Sequence, residues 1–315
     1  MCGSGGRLPL VSVVMNCYNG ERFLKEAIDS VYAQTWPRWE IILWDNASTD
    51  RSGEIARSYD GRLRYFRAQR NTPLGEARNH AFAQARGEFI AMLDADDIYL
   101  PETLRRLVGG MEDDERQYAV CYGGAELIDA EGQQIGREAH QSRRGDLFGC
   151  LLRQFDIRPC ASMVRRSVLS ENDLEFDRSL TTSEDYGFFM NIAVDHPFHS
   201  RPECLSRYRI HEGALTNRTI SRWADEWEYT LTQIKASHPG VDQHHRSGFR
   251  HAWARVGYYR ARNLMHLGDR SGARRLLQRN IAVDPRYLGL FLISLLPLKT
   301  WQRVHSWYNK RSLFS

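Results

Sequence analysis

Two hydrophobic periods alternate along the first third of the chain. Short apolar runs at Val11–Met15, Glu40–Trp44, Leu63–Phe66 and Phe89–Leu93 read as strands. Between them apolar positions recur at helical spacing: Phe23, Leu24, Ala27, Ile28 and Val31, then Ile55 and Ala56, then Leu74 to Ala85. Ser48 or Thr49 is the expected N-cap of the second helix. The order β-α-β-α-β-α-β predicts an α/β fold with a mostly parallel sheet and helices on both faces. In such sheets ligands bind beyond the carboxyl ends of the strands. Three of the four strands end in polar clusters there, at Asn16–Asn19, Asp45–Asp50 and Asp94–Asp97.

The middle of the chain is less regular. Tyr118–Tyr122 reads as a strand, and Glu126–Asp129 and Gln133–Gly136 as a hairpin turning at Ala130-Glu131-Gly132. Arg137 to Gly145 is polar and reads as a loop. Ala161–Val164 and Leu205–Ile210 read as strands, and Ser183 as the N-cap of a helix with Glu184 and Asp185 in its first turn. From about Ser221 the pattern turns helical, with a helix-turn-helix over Leu264–Pro285. The expected organisation is a tail at 1–9, an α/β domain at 10–220 and a C-terminal helical region at 221–315.

Leu288–Leu298 is apolar except for Gly289, Ser294 and Pro297. Lys299, Arg303, Lys310 and Arg311 follow with no acid among them, interspersed with Trp301, Trp307 and Tyr308. This tail reads either as a segment lying in a membrane interface or as a core helix with a solvated basic end. No apolar run reaches the ~18 residues of a membrane-spanning helix.

The 315 residues are 42% hydrophobic, enough for a real core, and the net charge is a mild +4. All but four of the 43 basic residues are arginine. Charges of both signs mix through most of the chain, which argues against a nucleic-acid surface. The six cysteines form no C-x-x-C pair. Free thiols in a reducing cytoplasm are the expectation, and the N-terminus carries no apolar signal-peptide core.

The chemistry concentrates in Asp94, Asp96 and Asp97, three carboxylates within four residues at a strand end. Carboxylates so close repel one another. A divalent ion, Mg²⁺ or Mn²⁺, bridging to phosphate oxygens would compensate them. The competing reading is a solvated acidic turn that caps the next helix. G-x-G-x-x-G after the first strand, G-x-x-x-x-G-K-[ST], H-E-x-x-H and G-x-S-x-G are all missing, which removes support for dinucleotide, P-loop, zincin and hydrolase readings.

Ser12–Asn19, Trp44–Asp50, Gly75–Asn79, Leu93–Asp97, Ser183–Tyr186 and Tyr208–Gly213, six segments in order across about residues 10–215, resemble family 2 glycosyltransferases. The resemblance implies a GT-A fold and inverting transfer from a nucleotide-diphosphate-sugar donor. It implies Asp45 as the nucleobase-recognising acid, with Asn16 and Tyr18 beside the base. Many relatives carry Pro where this chain has Asn16. Arg78 is placed either near the diphosphate or in solvent. Asp94 and Asp96 match the D-x-D motif, with Asp94 at the ribose or donor sugar and Asp96 a metal ligand. Asp97 orients its neighbours or caps the next helix. His211 matches a histidine that in some relatives reaches the metal or diphosphate. Asp185 matches the catalytic base and Glu184 is its rival.

The expected activity is therefore hexosyl transfer to a glycan or polyprenyl-linked saccharide acceptor in cell-surface polysaccharide or lipopolysaccharide assembly. The expected location is the cytoplasm, with possible peripheral contact at the inner face of the plasma membrane. The alternative is a catalytically silent nucleotide-sugar-binding or scaffold module, against which the joint presence of Asp96, Asp185 and His211 argues. A nucleotidyltransferase would need a glycine-rich basic loop after the first strand, and Asn16–Gly20 is not one.

Overall fold

The computed structural model describes residues 7–115, 117–213, 220–297, 300, 301 and 304. The chain forms two compact units. Unit 1 comprises Met1–Leu147 and Ile157–Glu212, and unit 2 comprises Phe148–Asp156 and Gly213–Ser315.

Unit 1 is built on β1 (Val11–Cys17), β2 (Trp39–Asp45), β3 (Leu63–Arg67), β4 (Phe89–Met92), β5 (Ile98–Tyr99), β6 (Val120–Ile128), β7 (Gln134–Glu138), β8 (Arg143–Gly145), β9 (Ser162–Arg165) and β10 (Phe198–Arg209). The sheet order is β3-β2-β1-β4-β9-β6-β10-β5, with β7 on β6 and β8 on β10. β3, β2, β1 and β4 pair in parallel. β9 opposes both β4 and β6, and β6 is parallel to β10, so β6 and β10 point the same way as β1 and β4. This is the mostly parallel α/β sheet that the hydrophobic pattern implies. Nearly every position of β1, β2 and β4 is buried, as expected of strands covered on both faces. Helices α1 (Leu24–Tyr32), α2 (Ser52–Arg57), α3 (Leu74–Phe82), α4 (Thr103–Met111), α6 (Arg166–Glu171) and α7 (Glu184–Ala193) complete the unit. Val13, Met15, Ile28, Ile41, Leu43, Ala91 and Leu104 share one buried cluster.

Several element boundaries differ from the sequence reading. Tyr118–Tyr122 and Glu126–Asp129 are not separate strands: β6 runs through Gly123 and Gly124. Glycine here serves close packing, because a Cβ on Gly124 would overlap the Glu138 carbonyl oxygen and one on Gly123 would press on Leu205. The expected loop at 137–145 contains β8, and β10 begins seven residues before Leu205. Pro202 and register shifts between Ser200 and Ser206 interrupt the alternation that would have revealed it. Ser48 and Thr49 do not cap α2, whose N-cap position is Arg51.

Unit 2 contains α5 (Phe148–Arg153), α8 (Trp223–Ser237), α9 (Val241–His244), α10 (Arg246–Leu267), α11 (Arg270–Ile281) and α12 (Arg286–Ser294). Trp227 and Tyr259 pack edge to face between α8 and α10. Gly268 ends α10 at φ 88°, and Asp269 then caps α11 by accepting from Gly272 N–H at 2.8 Å. On α12, Tyr287, Leu290 and Ser294 are buried, whereas Leu288, Leu292 and the following Leu295 and Leu296 are exposed. Trp301, expected at headgroup depth, is buried. Lys299, Arg303, Trp307, Tyr308, Lys310 and Arg311 lie outside the described residues, as do residues 1–6. No described helix is long and apolar enough to cross a membrane.

Candidate active site

Because β1, β2, β4, β6 and β10 share a direction, their carboxyl ends meet at one edge of the sheet. Cys17 lies opposite Asp45 and Val14 opposite Met92, so the polar clusters after β1, β2 and β4 are neighbours. The loops after β1 and β2 are laced together. Asn19 N–H donates to Ser48 Oγ at 2.9 Å, Gly20 N–H to Ser52 Oγ at 3.0 Å, and Thr49 N–H to Asn19 Oδ1 at 2.8 Å. Ser48 thus serves the β1 loop instead of a helix cap. Asn19 takes a left-handed φ of 52° to make this turn, a conformation asparagine tolerates.

The residues expected at a nucleobase differ in what they offer. Tyr18 is 55% exposed. Asp45 is fully buried, and both its oxygens are occupied: Oδ1 accepts from Ser48 N–H at 2.7 Å, and Oδ2 from Tyr65 at 2.5 Å and Arg67 Nη1 at 2.9 Å. Asp45 therefore ties the loop after β2 to β3 through Tyr65 and Arg67. Asn16 carries the opposite signature. Its Nδ2 is buried with no hydrogen-bond partner among the described residues. Buried donors are seldom left unmatched, and one at a ligand-facing edge calls for an incoming acceptor.

Arg78, which the sequence left between diphosphate and solvent, is not a solvated helix residue. It is 4% exposed on α3, where Nη1 donates to Glu184 Oε1 at 2.8 Å and Nη2 to Asp94 Oδ1 at 3.0 Å. One guanidinium therefore ties the acidic end of β4 to the first turn of α7, with Arg78 itself 106 positions from Glu184 in the chain. It faces an excess of carboxylate. Burial pushes the Glu184 carboxyl up to about 7, with Arg78 opposing the rise and Asp185 adding to it. The Asp185 carboxyl is also raised, chiefly by burial. Arg78, the Tyr186 N–H and Arg158 pull it back, and Asp94 pushes it further up. Asp185 accepts from the Tyr186 N–H at 2.7 Å. A carboxylate with a raised pKa suits proton abstraction near neutral pH.

The third group gathers at the end of β10. Asp96 Oδ2 and His211 Nε2 are 2.9 Å apart, and the His211 ring packs 5.2 Å from Phe23. Burial and the charge on Asp94 raise the Asp96 pKa, against the pull of His211. Asp97 is buried and accepts the Arg209 N–H at 2.8 Å; burial and the charges of Asp96 and Asp94 push its pKa well up. Asp97 does not cap α4, because β5 intervenes. Among the described residues no group of three His, Cys, Asp or Glu gathers as a metal cluster. Asp96 and His211 nevertheless fit an ion that takes its remaining oxygens from a ligand. Adjacent ligands each about 2.1 Å from an octahedral ion are about 3 Å apart. Mg²⁺-type ions are commonly held by one or two protein groups plus phosphate.

Sequence reasoning missed Arg209 as an individual residue. Its side chain is 2% exposed. It donates to the Asp96 carbonyl at 2.9 Å, to the carbonyls of Asp129 and Ala130, and to Glu26 at 2.6 Å, and stacks over Phe23 at 4.5 Å. It was legible only as part of the Tyr208–Gly213 segment; an arginine at the end of a buried strand is the signal that would have singled it out. Arg158, bidentate to Glu138 at 2.5 and 2.7 Å, was likewise not anticipated.

Comparison with known proteins places this geometry in context. The family model described as Glycosyl transferase family 2 matches residues 12–172. A putative teichuronic acid biosynthesis glycosyltransferase, TuaG of Bacillus subtilis, is 27% identical over 73% of this chain and 90% of its own. A crystal structure of S. aureus TarS 1-349 in complex with UDP-GlcNAc shares the fold at a TM-score of 0.69 and 18% identity, covering 97% of this chain and 93% of that one. The Pyrobaculum calidifontis mannosyltransferase PcManGT, in complex with GDP-Man and Mn²⁺, matches at a TM-score of 0.62 and 18% identity, covering 96% and 85%.

Proposed function

The chain belongs to glycosyltransferase family 2, and from that premise we propose that it transfers a sugar, with inversion, from a nucleotide-diphosphate donor to a hydroxyl of a glycan or polyprenyl-linked saccharide in cell-surface polysaccharide synthesis. The observation that carries this reading is Arg78, whose two ion pairs hold Asp94 of the D-x-D segment beside Glu184 and Asp185. Donor-side and acceptor-side carboxylates then flank one space, as an in-line displacement requires.

In this reading Asn16 offers its unmatched Nδ2 to the base and Tyr18 packs beside it. Asp45 shapes the base pocket through Ser48, Tyr65 and Arg67. Asp94 contacts the ribose or donor sugar. Asp96 and His211 would hold Mn²⁺ or Mg²⁺, which when bound offsets charge on the diphosphate leaving group. Asp185 takes the proton from the acceptor hydroxyl as that oxygen attacks the anomeric carbon from the face opposite the diphosphate. Glu184, committed to Arg78 at 2.8 Å, is less free for that role. The donors of the TarS and PcManGT complexes, UDP-GlcNAc and GDP-Man, support a nucleotide-sugar donor for the fold. TuaG's description supports a polysaccharide product. A peripheral position at the inner face of the plasma membrane is part of the same reading, consistent with a lipid-linked acceptor.

The test uses nucleoside diphosphate release from UDP-, dTDP- and GDP-sugars, together with thermal melting with each nucleotide and Mn²⁺. Asp185→Asn should lower turnover by about 10²–10⁴ while keeping nucleotide-dependent stabilisation. Asp96→Asn should lose the stabilisation, which for a ligand at 100 times its Kd is about 2.7 kcal/mol. Wild-type turnover by Asp185→Asn would remove that residue as the base. Nucleotide stabilisation with no release from any sugar nucleotide would favour the silent binding module.

A further inference from the structure

Helix α12 and the two residues after its end, Leu295 and Leu296, present two faces at helical spacing. Tyr287, Leu290 and Ser294 are turned into unit 2, at 3%, 2% and 0% exposure. Leu288, Leu292, Leu295 and Leu296 form the opposite stripe, at 46%, 52%, 49% and 36%. Such a stripe is costly in water unless something covers it.

What lies at the end of the stripe argues for the kind of cover. The last carbonyls of a helix have no intrahelical partner. Here two arginines of α11 take them. Arg270 Nη2 donates to the carbonyls of Leu295 at 2.9 Å and Leu296 at 2.6 Å, and Arg274 Nη2 to that of Ser294 at 3.1 Å. The carbonyl end of the stripe is thus satisfied without water, a condition for entering a medium of low polarity. The same bonds hold two guanidinium groups at the end of the leucine stripe, so the charge fixed there is positive. The chain continues this charge: Pro285–Ser315 contains Arg286, Lys299, Arg303, Lys310 and Arg311 and neither Asp nor Glu. A purely aliphatic stripe with two guanidinium groups at its end, in a stretch of sequence that is basic and acid-free, matches an anionic bilayer, which supplies acyl chains and phosphate in the same plane.

We propose that the Leu288–Leu292–Leu295–Leu296 stripe of α12, with Arg270 and Arg274 at its end, is a docking surface for a membrane of anionic phospholipid. This surface specifies the peripheral position proposed above and uses none of the transfer chemistry, so either can fail alone.

The experiment is sedimentation of the full chain with vesicles of phosphatidylglycerol and phosphatidylcholine, against phosphatidylcholine alone. The variant is the pair Leu292→Ser and Leu295→Ser, at positions exposed enough to leave the fold intact. Binding to the anionic vesicles, weakened by added salt and by about tenfold or more in the pair variant, supports the surface. Nucleoside diphosphate release in vesicle-free buffer should be unchanged in that variant, which separates this result from any failure of the donor site. No sedimentation with anionic vesicles, equal sedimentation with neutral ones, or undiminished binding by the pair variant overturns the proposal. So does a lowered melting temperature with unchanged vesicle binding, which would mean that another part of the protein covers the stripe. A concentration-dependent dimer abolished by the pair variant, without vesicle binding, would assign the stripe to a second copy instead.

Discussion

Arg78 is the residue on which the two halves of the site depend, and it acts on Asp185 at a distance. Its positive charge opposes the rise in the Asp185 pKa that burial and Asp94 cause. Replacing it by methionine keeps much of the volume and removes the charge. Asp185 should then hold its proton to higher pH. A base must be deprotonated to work, so with Asp185 in the proposed role the acidic limb of the kcat/KM profile should move to higher pH in Arg78→Met. A limb that stays in place would leave Arg78 a structural role only. The same change strands Glu184 in the interior, and breaking a buried pair typically costs about 3–5 kcal/mol. The sign for folding follows from Glu184 itself. Its carboxyl is raised from 4.5 to about 7, so the folded chain binds more protons than the unfolded one in that window. Stability contributed by this group is full below about 4.5 and declines as the pH rises through about 7. In sequence, Arg78 could not be told from a solvated helix residue, because both its partners are distant in the chain: Asp94 by 16 positions and Glu184 by 106.

At the scale of elements, the strands that define the candidate edge were legible because β1, β2 and β4 are short, mostly apolar and buried at nearly every position. β10 was only half legible, since Pro202 and its bulges break the pattern before the strand resumes. β5, with two residues, and β8, with three, are too short to leave any periodic trace. Their pairing with β10 is a tertiary outcome. The end of β10 repays inspection for what Arg209 does there. It fastens the Asp94–Asp97 turn, the β6–β7 turn and α1 to one strand terminus, two residues before His211. Arg209→Lys keeps the charge but loses the planar fork that serves these acceptors together. With Asp96 and His211 as the proposed metal ligands, its expected effect is a half-saturating Mn²⁺ concentration raised by about 10–100-fold, the usual consequence of loosening the groups behind a ligand. The melting temperature without metal reports any general loss of stability separately. An unchanged Mn²⁺ requirement would mean that Asp96 and His211 are held without it.

The molecule as a whole carries a net charge of +4, yet its most concentrated acids stand at the sheet edge of unit 1 and its longest acid-free stretch ends the chain. Neither feature is visible in the net figure, and on the readings proposed above each matches a different kind of anion: a diphosphate through a cation in one case, a lipid headgroup directly in the other. Folding stability is also a property of the whole chain, and here the unmatched amide of Asn16 matters. An unsatisfied buried donor costs about 1–3 kcal/mol in the free protein. Asn16→Val removes that donor and suits a strand, so it should raise the melting temperature of the free chain while weakening stabilisation by nucleoside diphosphate. A variant that gains neither stability nor loses nucleotide response would show the amide to be idle. With Asn16 in its proposed role the wider consequence is evolutionary: at this position selection for sturdiness and selection for turnover pull in opposite directions, so a chain improved for shelf life at residue 16 should be a poorer catalyst.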